Sequence, residues 1–226
     1  MPLVPNRFLF RFTHPCLYIR DLPRKGEDLL DLPDETRISG FADLDDTKEF
    51  ADVRMAWNEG GLGLQVDVRG KDKPPTGDAG RPRHSDGVTL WLDTRDARTS
   101  HRASQYCHQF HFLATGGGPD KDEPAFTQSK INRALRDAAF APVSAVAFQC
   151  VIRGNGYRIE AFLPALAMYG WEPEQNPRLG FFYAIHDQEL GTLTSAAGVD
   201  LPYQEDPTLW GTLELTRPAT RGRQSE

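Results

Sequence analysis

Histidines and a cysteine are concentrated in the segment 101–111, where their residue types could bind a metal ion. The segment contains three histidines and Cys107, and His84 lies upstream of it. Imidazole and thiolate groups are good zinc ligands. In a β-strand, however, His108 and His111 face opposite sides because side chains alternate, and only Cys107 and His111 share a side. Two ligands are too few for a zinc site, so the spacing argues against one.

Arginines make the region 81–102 the most cationic part of the chain. Five arginines and three aspartates occur there. A charge cluster of this kind is most often a solvated surface with salt bridges. Alternatively, the planar guanidinium groups bind an anionic ligand, such as an acidic or phosphorylated sugar. The cationic residues are Arg81, Arg83, Arg95, Arg98 and Arg102.

Catalytic motifs are missing from the sequence. It has no Gly-x-Ser-x-Gly nucleophile elbow, no phosphate-binding loop, no His-Glu-x-x-His motif and no dinucleotide-binding glycine pattern. A net charge of −6, without a basic stripe interleaved with aromatic residues, argues against a nucleic-acid partner. No apolar run reaches the roughly 18 residues of a membrane span. We therefore predict a protein that is not an enzyme and that binds neither nucleic acid nor a membrane.

The cysteines indicate the cellular compartment. Cys16, Cys107 and Cys150 show no paired spacing, and their odd number leaves one without a partner under any disulfide scheme. The first residues, MPLVPNRFLFRF, form an apolar stretch that is too short and too interrupted by arginine for a signal peptide. We therefore predict reduced, partly buried thiols in a cytoplasmic protein.

Short runs of alternating apolar and polar residues, separated by turn residues, are typical of an antiparallel sandwich. In the run 88–92, three aliphatic side chains face one side and Thr89 and Trp91 face the other. Glycine-containing turns at 58–61 and 154–156 predict hairpins, because glycine tolerates positive φ. Further strands are predicted near residues 8–12, 53–57, 62–68, 106–113, 143–152, 157–162, 179–185 and 210–215.

Only one segment, 128–140, has helical spacing, with Ile131, Leu135 and Ala138 on one side. Residues 70–85 are rich in proline, glycine and charge and predict a long surface loop. No internal repeat or linker divides the chain. We predict an all-β fold, a two-sheet antiparallel β-sandwich with one short helix, as a single domain over residues 1–226 with a frayed tail at 216–226.

Four segments, taken in order, resemble those of family nine carbohydrate-binding modules and of the related DOMON-like sandwiches. The resemblance covers about residues 51–215, and a predicted first strand and an acidic segment occupy 1–50. It implies a jelly-roll-like sandwich that binds carbohydrate without catalysis, and it gives Glu160 a structural role. The segments are VRMAWN and GLGL between 53 and 64, DGVTLWLD at 86–93, GYRIEAFLP at 156–164, and LGF, Asp187 and DPTLWG between 179 and 211.

The resemblance also implies a sugar-binding site on one face of a sheet. In the family, two tryptophans sandwich a terminal sugar, and the matching positions here hold Arg83 and Gln204. An acid of the family's site is replaced by Thr89, and an arginine by His111. The implied ligand-binding residues are Arg83, His84, Thr89, Trp91, Gln109, His111, Tyr203 and Gln204.

No cofactor is predicted from the residues themselves. The family often carries structural calcium, and the resemblance allows it at loop aspartates such as Asp93, Asp96 or Asp187. The sequence nevertheless lacks the regular pattern of oxygen ligands found in calcium-binding loops.

The four tryptophans have different expected roles. Trp91 either offers its indole face to a sugar or is covered by a loop or the tail. Trp171, in a loop, either rims a site or plugs one end of the sandwich, and the usual burial of large aromatic residues favours the plug. Trp57 and Trp210 lie in strand motifs and are predicted to be in the core.

Two functions remain. The first is a carbohydrate-binding module whose ligand is more anionic than a neutral glucan, because Arg83 replaces stacking surface with a donor fork. The alternative is a protein-interaction or scaffold domain that kept the sandwich and lost the sugar site. A solvent-open pocket beside Trp91 and His111 would favour the first function, and a filled face would favour the second.

Overall fold

The computed structural model describes residues 12–26, 28–40, 48–196 and 201–218. Within these ranges the chain forms eleven β-strands and five three-residue 3₁₀ turns, and it contains no α-helix. In the same ranges, no helix has the length and apolar character needed to cross a membrane. The strands are β1 Thr13–Tyr18, β2 Ala51–Asn58, β3 Gly61–Arg69, β4 Gly87–Asp93, β5 Cys107–Gly117, β6 Glu123–Gln128, β7 Ala147–Arg153, β8 Gly156–Pro164, β9 Arg178–Asp187, β10 Gly191–Thr194 and β11 Gly211–Thr216.

Hydrogen bonds connect the strands in one continuous path. The order is β6-β5-β4-β9-β11-β1-β2-β3-β8-β7, and β10 pairs with β9. Neighbouring strands are antiparallel, except that β1 is parallel to both β11 and β2. Strands β5 and β6 at one end of the path contact β7 at the other end, so the sheet nearly closes in a barrel-like arrangement. The all-β prediction is confirmed, while the hydrogen bonding of the described strands shows no division into two sheets.

Alternation along the strands places one set of side chains in a common core. Burying a large aliphatic or aromatic side chain contributes about 1.5–3 kcal/mol, so this core is the main source of stability. Trp57 is part of it, as predicted, and Trp210 is buried on the other side of the sheet. Trp171 packs against the core and donates its indole N–H to the carbonyl oxygen of Glu59 at 3.1 Å, which fits the predicted plug. The three aliphatic residues of the run 88–92 share this core with residues of β8, β9 and β11, each at most 1% exposed: Val88, Leu90, Leu92, Ile159, Phe181 and Leu213.

The β7–β8 hairpin shows why its predicted glycine turn is needed. A Cβ atom on Gly156 would lie 1.9 Å from the carbonyl oxygen of Val68, so only glycine allows β8 to approach β3 this closely. In the same turn, the carbonyl oxygen of Asn155 accepts the backbone N–H groups of Gly70 at 2.8 Å and of Lys71 at 3.1 Å. The turn therefore also holds the first residues of the 70–85 loop.

The predicted helix at 128–140 is wrong. Gln128 ends β6, and the residues after it form turns and irregular structure. Arg133 has a φ of +57°, which an α-helix does not allow. The backbone N–H of Leu135 donates to the carbonyl oxygen of Ala103 at 2.7 Å, and Leu135 itself is 61% exposed. Hydrogen bonds to distant backbone and the burial of Ile131 therefore outweigh the helical spacing.

Other strand boundaries also differ from the sequence pattern. Strand β1 begins at Thr13, whereas Phe8 and Phe10 of the predicted first strand lie outside the described residues. Strands β6 and β10 were not predicted, since EPAFTQ and GTLT contain too few apolar residues to show alternation. The missed strand β6 bears on function, because it borders the site described below.

All three cysteines are free thiols. Cys16 and Cys107 are buried and Cys150 is half-buried. Burial raises the pKa of the Cys107 and Cys150 thiols to about 12. Thiols with such pKa values stay protonated and unreactive near neutral pH, so their role is packing.

Candidate ligand-binding site

Four predicted ligand-binding residues lie together on the side of β4 and β5 that faces away from the core, which we call the outer face. Thr89 stands opposite His111, and Trp91 stands opposite Gln109. Residues directly opposite each other in an antiparallel pair project from the same side of the sheet. On β9, Phe182 stands opposite Trp91 and extends this face. The alternation in the sequence therefore placed these side chains on the correct side of the sheet.

Aromatic side chains fill the middle of the outer face. Trp91 is 1% exposed, and its ring meets Phe182 and Tyr203 edge to face, with centroids 5.9 and 5.5 Å apart. Tyr203 stacks on Phe182 at 4.3 Å, and Trp210 donates its indole N–H to the Tyr203 carbonyl oxygen at 2.7 Å. Ile131 is buried in the same cluster. Trp91 is therefore covered, and neither it nor Tyr203 offers an open stacking surface.

A buried polar cluster adjoins these aromatic residues. The imidazole of His111 has its Nδ1 atom 2.9 Å from Thr89 Oγ1 and its Nε2 atom 2.9 Å from Ser129 Oγ. Gln109 Nε2 lies 3.3 Å from the same His111 Nε2 atom. Burial first, and then the positive charges of Arg83 and His186, lower the pKa of His111 to about 4. His111 is therefore a neutral hydrogen-bonding group at physiological pH.

Three side-chain atoms on the outer face have no hydrogen-bond partner. They are Trp91 Nε1, Gln109 Oε1 and Thr127 Oγ1. Within the described part of the chain, these three are the buried side-chain nitrogen and oxygen atoms without a hydrogen-bond partner. Thr127 on β6 stands opposite His111, so the three atoms belong to adjacent strands. Leaving a buried polar atom unpaired costs about 1–3 kcal/mol, and native proteins rarely do so. The three unpaired atoms therefore lie on the same face, on three neighbouring strands.

The side chains of an arginine and a histidine lie near one end of the outer face. Arg83 and His84 are exposed on the 3₁₀ turn Pro82–His84. Burial, followed by the charges of His84 and Arg83, lowers the pKa of His186 on β9. Strand β4 begins at Gly87, three residues after the turn, and Gly87 stands opposite His186 on β9, so the turn lies at this end of the sheet. This end is suited to a negatively charged group.

The structure adds residues that the sequence pattern missed. Thr127 was overlooked because β6 was not predicted, and Ser129 because the pattern assigned the region from 128 to a helix. Alternation with Phe182 along β9 would have placed His186 on the outer face. Gln204, which was predicted, is half-buried next to Tyr203, on the loop that covers Trp91.

Protein groups surround the side chains considered for metal binding. In the described ranges, no group of three or more histidine, cysteine, aspartate or glutamate side chains is arranged to hold a metal ion. The Asp93 carboxylate accepts two backbone N–H groups, at 3.0 and 2.7 Å. Lys71 donates to both carboxylate oxygens of Asp187, at 2.7 and 2.8 Å. Asp96 accepts Arg98 Nε at 2.9 Å and the hydroxyl of Thr212 at 3.0 Å. The acids for which the resemblance allowed calcium are therefore bound by protein donors, and a calcium ion does not fit beside Lys71.

We expect the buried histidines to make stability fall as the pH falls from 6.5 to 4. Burial lowers the pKa of His108, like that of His111, to about 4. Between pH 4 and 6.5 the unfolded chain binds protons that the folded chain does not, so stability is complete above this window and decreases within it. Each of the two histidines should make the free energy of unfolding about 2 kcal/mol lower at pH 5 than at pH 7. Urea unfolding of the wild type and of His111→Gln at both pH values measures this difference.

Between pH 7 and pH 5, the free energy of unfolding of His111→Gln should fall by about 2 kcal/mol less than that of the wild type. Equal pH dependence of His111→Gln and the wild type would contradict the buried neutral state of His111.

Comparison with known proteins identifies the fold. No protein-family model and no curated protein matches the sequence. A family 9 carbohydrate-binding module (CBM9) from Caldicellulosiruptor kristjanssonii in complex with cellotriose has a TM-score of 0.61 at 13% identity, over 95% of this chain and 99% of that one. A CBM9 from the same organism in complex with glucose gives 0.60 at 13%, over 92% and 97%. A Bacteroides uniformis protein gives 0.60 at 14%, over 92% and 100%. This chain therefore has the fold of carbohydrate-binding modules.

Proposed function

We propose that the protein is a non-catalytic carbohydrate-binding domain whose ligand binds at the outer face of β4, β5 and β6. The observation that carries this proposal is the group of unpartnered buried polar atoms on Trp91, Gln109 and Thr127. Sugar hydroxyls donate and accept hydrogen bonds, so they match an indole N–H, an amide oxygen and a hydroxyl. The fold supports the proposal, because the similar modules were solved with cellotriose and glucose.

Access to these atoms requires a movement of the covering segment. Of the three residues, only Gln109 lines a crevice, together with Ser129, Ile131 and neighbouring residues, and its volume is about 10 Å³. Such a volume holds about one water molecule. One wall is the segment 129–140, so a sugar ring enters only when this segment shifts. Ligand binding should therefore change the fluorescence of Trp91, which packs in one cluster with Ile131 of this segment.

The ligand is proposed to be an acidic or phosphorylated sugar. Trp91 and Tyr203 are 1% and 2% exposed and cannot stack on a neutral sugar in this conformation. Arg83 and His84 instead present exposed hydrogen-bond donors at the end of the same face. A guanidinium group binds a carboxylate or phosphate through two parallel hydrogen bonds, which a neutral sugar cannot match.

Replacing Arg83 with alanine should weaken binding of an acidic sugar by about ten- to a hundredfold, the usual value of a hydrogen bond to a charged group. The melting temperature should hardly change, because the Arg83 side chain is exposed and lies outside the core. Calorimetry with glucuronic acid, glucose 6-phosphate and glucose measures the effect on both proteins.

Arg20→Ala is the matched control, since Arg20 is also exposed, and its carbonyl oxygen accepts the side-chain amide of Asn58 at the end of β2, a strand that does not pair with β4. It should bind like the wild type. Tight binding of glucose that ignores Arg83→Ala would show that the site is misplaced. Absence of binding by every sugar would reject carbohydrate binding as the function.

A protein-interaction domain is the second candidate function. The observation that favours it is the filled middle of the outer face, where Tyr203 covers Trp91 and Phe182. If the protein is an interaction domain, the aromatic cluster is part of the packed interior and does not open. No sugar should then bind in the calorimetric series, and none should change the fluorescence of Trp91.

We also propose that the protein acts in the cytoplasm. The support is chemical: three free thiols in one domain are compatible with a reducing compartment. Fractionation of cells that express the tagged protein tests this location.

A further inference from the structure

The covering segment, residues 129–140, has the form of an Ω-loop, a compact surface loop whose two ends lie close together. It follows β6, leads towards β7, and contains no helix or strand. The side-chain amide of Gln128 joins its ends, because it donates to the Ala141 carbonyl oxygen at 2.8 Å and accepts the Ala141 N–H at 3.1 Å. Within the segment, Lys130 and Asp137 form an ion pair at 2.6 Å. The segment therefore has contacts of its own at its base and in its interior.

An exposed arginine holds the middle of the covering segment. The Arg102 guanidinium donates from Nε to the carbonyl oxygen of Arg133 at 2.7 Å and from Nη2 to that of Ala134 at 3.3 Å. The N–H of the next residue, Leu135, donates to the Ala103 carbonyl oxygen at 2.7 Å. Three successive residues of the segment are therefore bonded to residues 102 and 103, and Arg102 supplies two of these bonds.

The covering segment buries little apolar surface. Ile131 is buried in the cluster that contains Trp91 and Tyr203, whereas Leu135 and Phe140 are 61% and 53% exposed. Segments with few buried apolar contacts and solvent-exposed hydrogen bonds open at free energies below that of global unfolding. The covering segment therefore has the properties of a part that opens while the sheet stays folded.

We propose that the covering segment opens as one unit about its base, and that Arg102 holds it closed. That this opening controls access for a sugar rests on the proposed function, in which the ligand reaches Gln109 beside the wall that the segment forms. A ligand that binds only the open form loses apparent affinity in proportion to the small fraction of open molecules. Arg102 therefore weakens sugar binding, whereas Arg83 strengthens it.

Native-state hydrogen exchange without ligand tests the separate opening. In the wild type, low urea concentrations should accelerate exchange of the Leu90 amide in the core strand β4 and leave that of the Leu135 amide unchanged, because the effect of urea scales with the surface exposed. In Arg102→Ala the Leu135 amide should exchange about tenfold faster, since a hydrogen bond from a charged group contributes about this factor. NMR measures both amides.

Arg136→Ala is the matched control for the exchange experiment. Arg136 lies in the same segment, is exposed, and makes no hydrogen bond or ion pair through its side chain among the described residues. Its replacement should leave the Leu135 amide at the wild-type exchange rate. A parallel urea dependence of the Leu135 and Leu90 amides would overturn the separate opening. Equal exchange of Leu135 in Arg102→Ala and in the wild type would overturn the role of Arg102.

Calorimetry with glucuronic acid tests whether the opening limits binding. The Kd should be about tenfold lower for Arg102→Ala than for the wild type, because more molecules are open. Asn132→Ala should change the Kd in the same direction, since it removes a hydrogen bond to Glu205 at 2.5 Å. An unchanged or higher Kd in Arg102→Ala, despite faster exchange, would overturn the control of access. Absence of binding by every sugar would reject the proposed function, while the exchange experiment would still decide whether the segment opens.

Discussion

Glu160→Ala is expected to lower the free energy of unfolding by about 3–5 kcal/mol. The Glu160 carboxylate is fully buried and accepts the backbone N–H groups of Leu29, Leu30 and Asp31 at 3.2, 3.3 and 2.8 Å. It also accepts the side-chain amide of Gln149 at 2.6 Å. Alanine would leave three backbone donors unpaired, and each such donor in a buried place costs about 1–3 kcal/mol. Urea unfolding measures the loss.

The loss of stability in Glu160→Ala should be greatest in the segment 29–31, whose backbone N–H groups Glu160 accepts. The amides of Leu30 and Asp31 should exchange with deuterium faster in Glu160→Ala, because the segment is released from the sheet. The exposed Glu214 on β11 is the matched control, and Glu214→Ala should change stability by less than about 0.5 kcal/mol. If Glu160→Ala loses no more than Glu214→Ala, the carboxylate does not anchor this segment.

Lys71→Met is expected to cost about 3–5 kcal/mol, the usual loss when one partner of a buried ion pair is removed. The Asp187 carboxylate, which is 0% exposed, would lose two hydrogen bonds and the positive charge beside it. The exposed neighbour Lys73 provides the control, and Lys73→Met should cost less than about 0.5 kcal/mol. Urea unfolding at neutral pH compares the two variants with the wild type.

A double variant separates the ion pair from simple packing. Lys71→Met combined with Asp187→Asn should lose less stability than the two single variants together, because the uncompensated charge is also removed. Additive losses would mean that Lys71 stabilises the fold through its aliphatic chain and not through its charge.

Local alternation was sufficient to predict most strands and their buried sides. Along β4 the sequence alone separated Val88 and Leu90 from Thr89 and Trp91, because successive side chains of a strand point to opposite faces. The resemblance supplied Gln109 and His111, and the pairing of β4 with β5 places them opposite Trp91 and Thr89. Helical spacing was misleading at 128–140. There the backbone N–H of Leu135 bonds to the carbonyl oxygen of Ala103, and the segment is irregular.

The candidate site was predicted only in part. The resemblance to a family supplied positions such as Arg83, but it could not show that Tyr203 covers Trp91. Whether a face is open depends on loops that are distant in sequence, and residue types alone do not say where those loops pack. The unpartnered atoms of Gln109 and Thr127 likewise became recognisable only after β5 and β6 were paired.

The sequence by itself determined the all-β class, the core side of the strands and the absence of known catalytic motifs, since each of these depends on neighbouring residues. The tertiary structure decided which group each buried charge is bonded to. Lys71 and Asp187 are 116 residues apart, and Glu160 is 129 residues from Asp31, whose backbone N–H it accepts. Nothing in the local pattern around a lysine or a glutamate shows whether it is solvated or buried. Its partner is set by the folding of the whole sheet, which brings together side chains that the sequence keeps far apart.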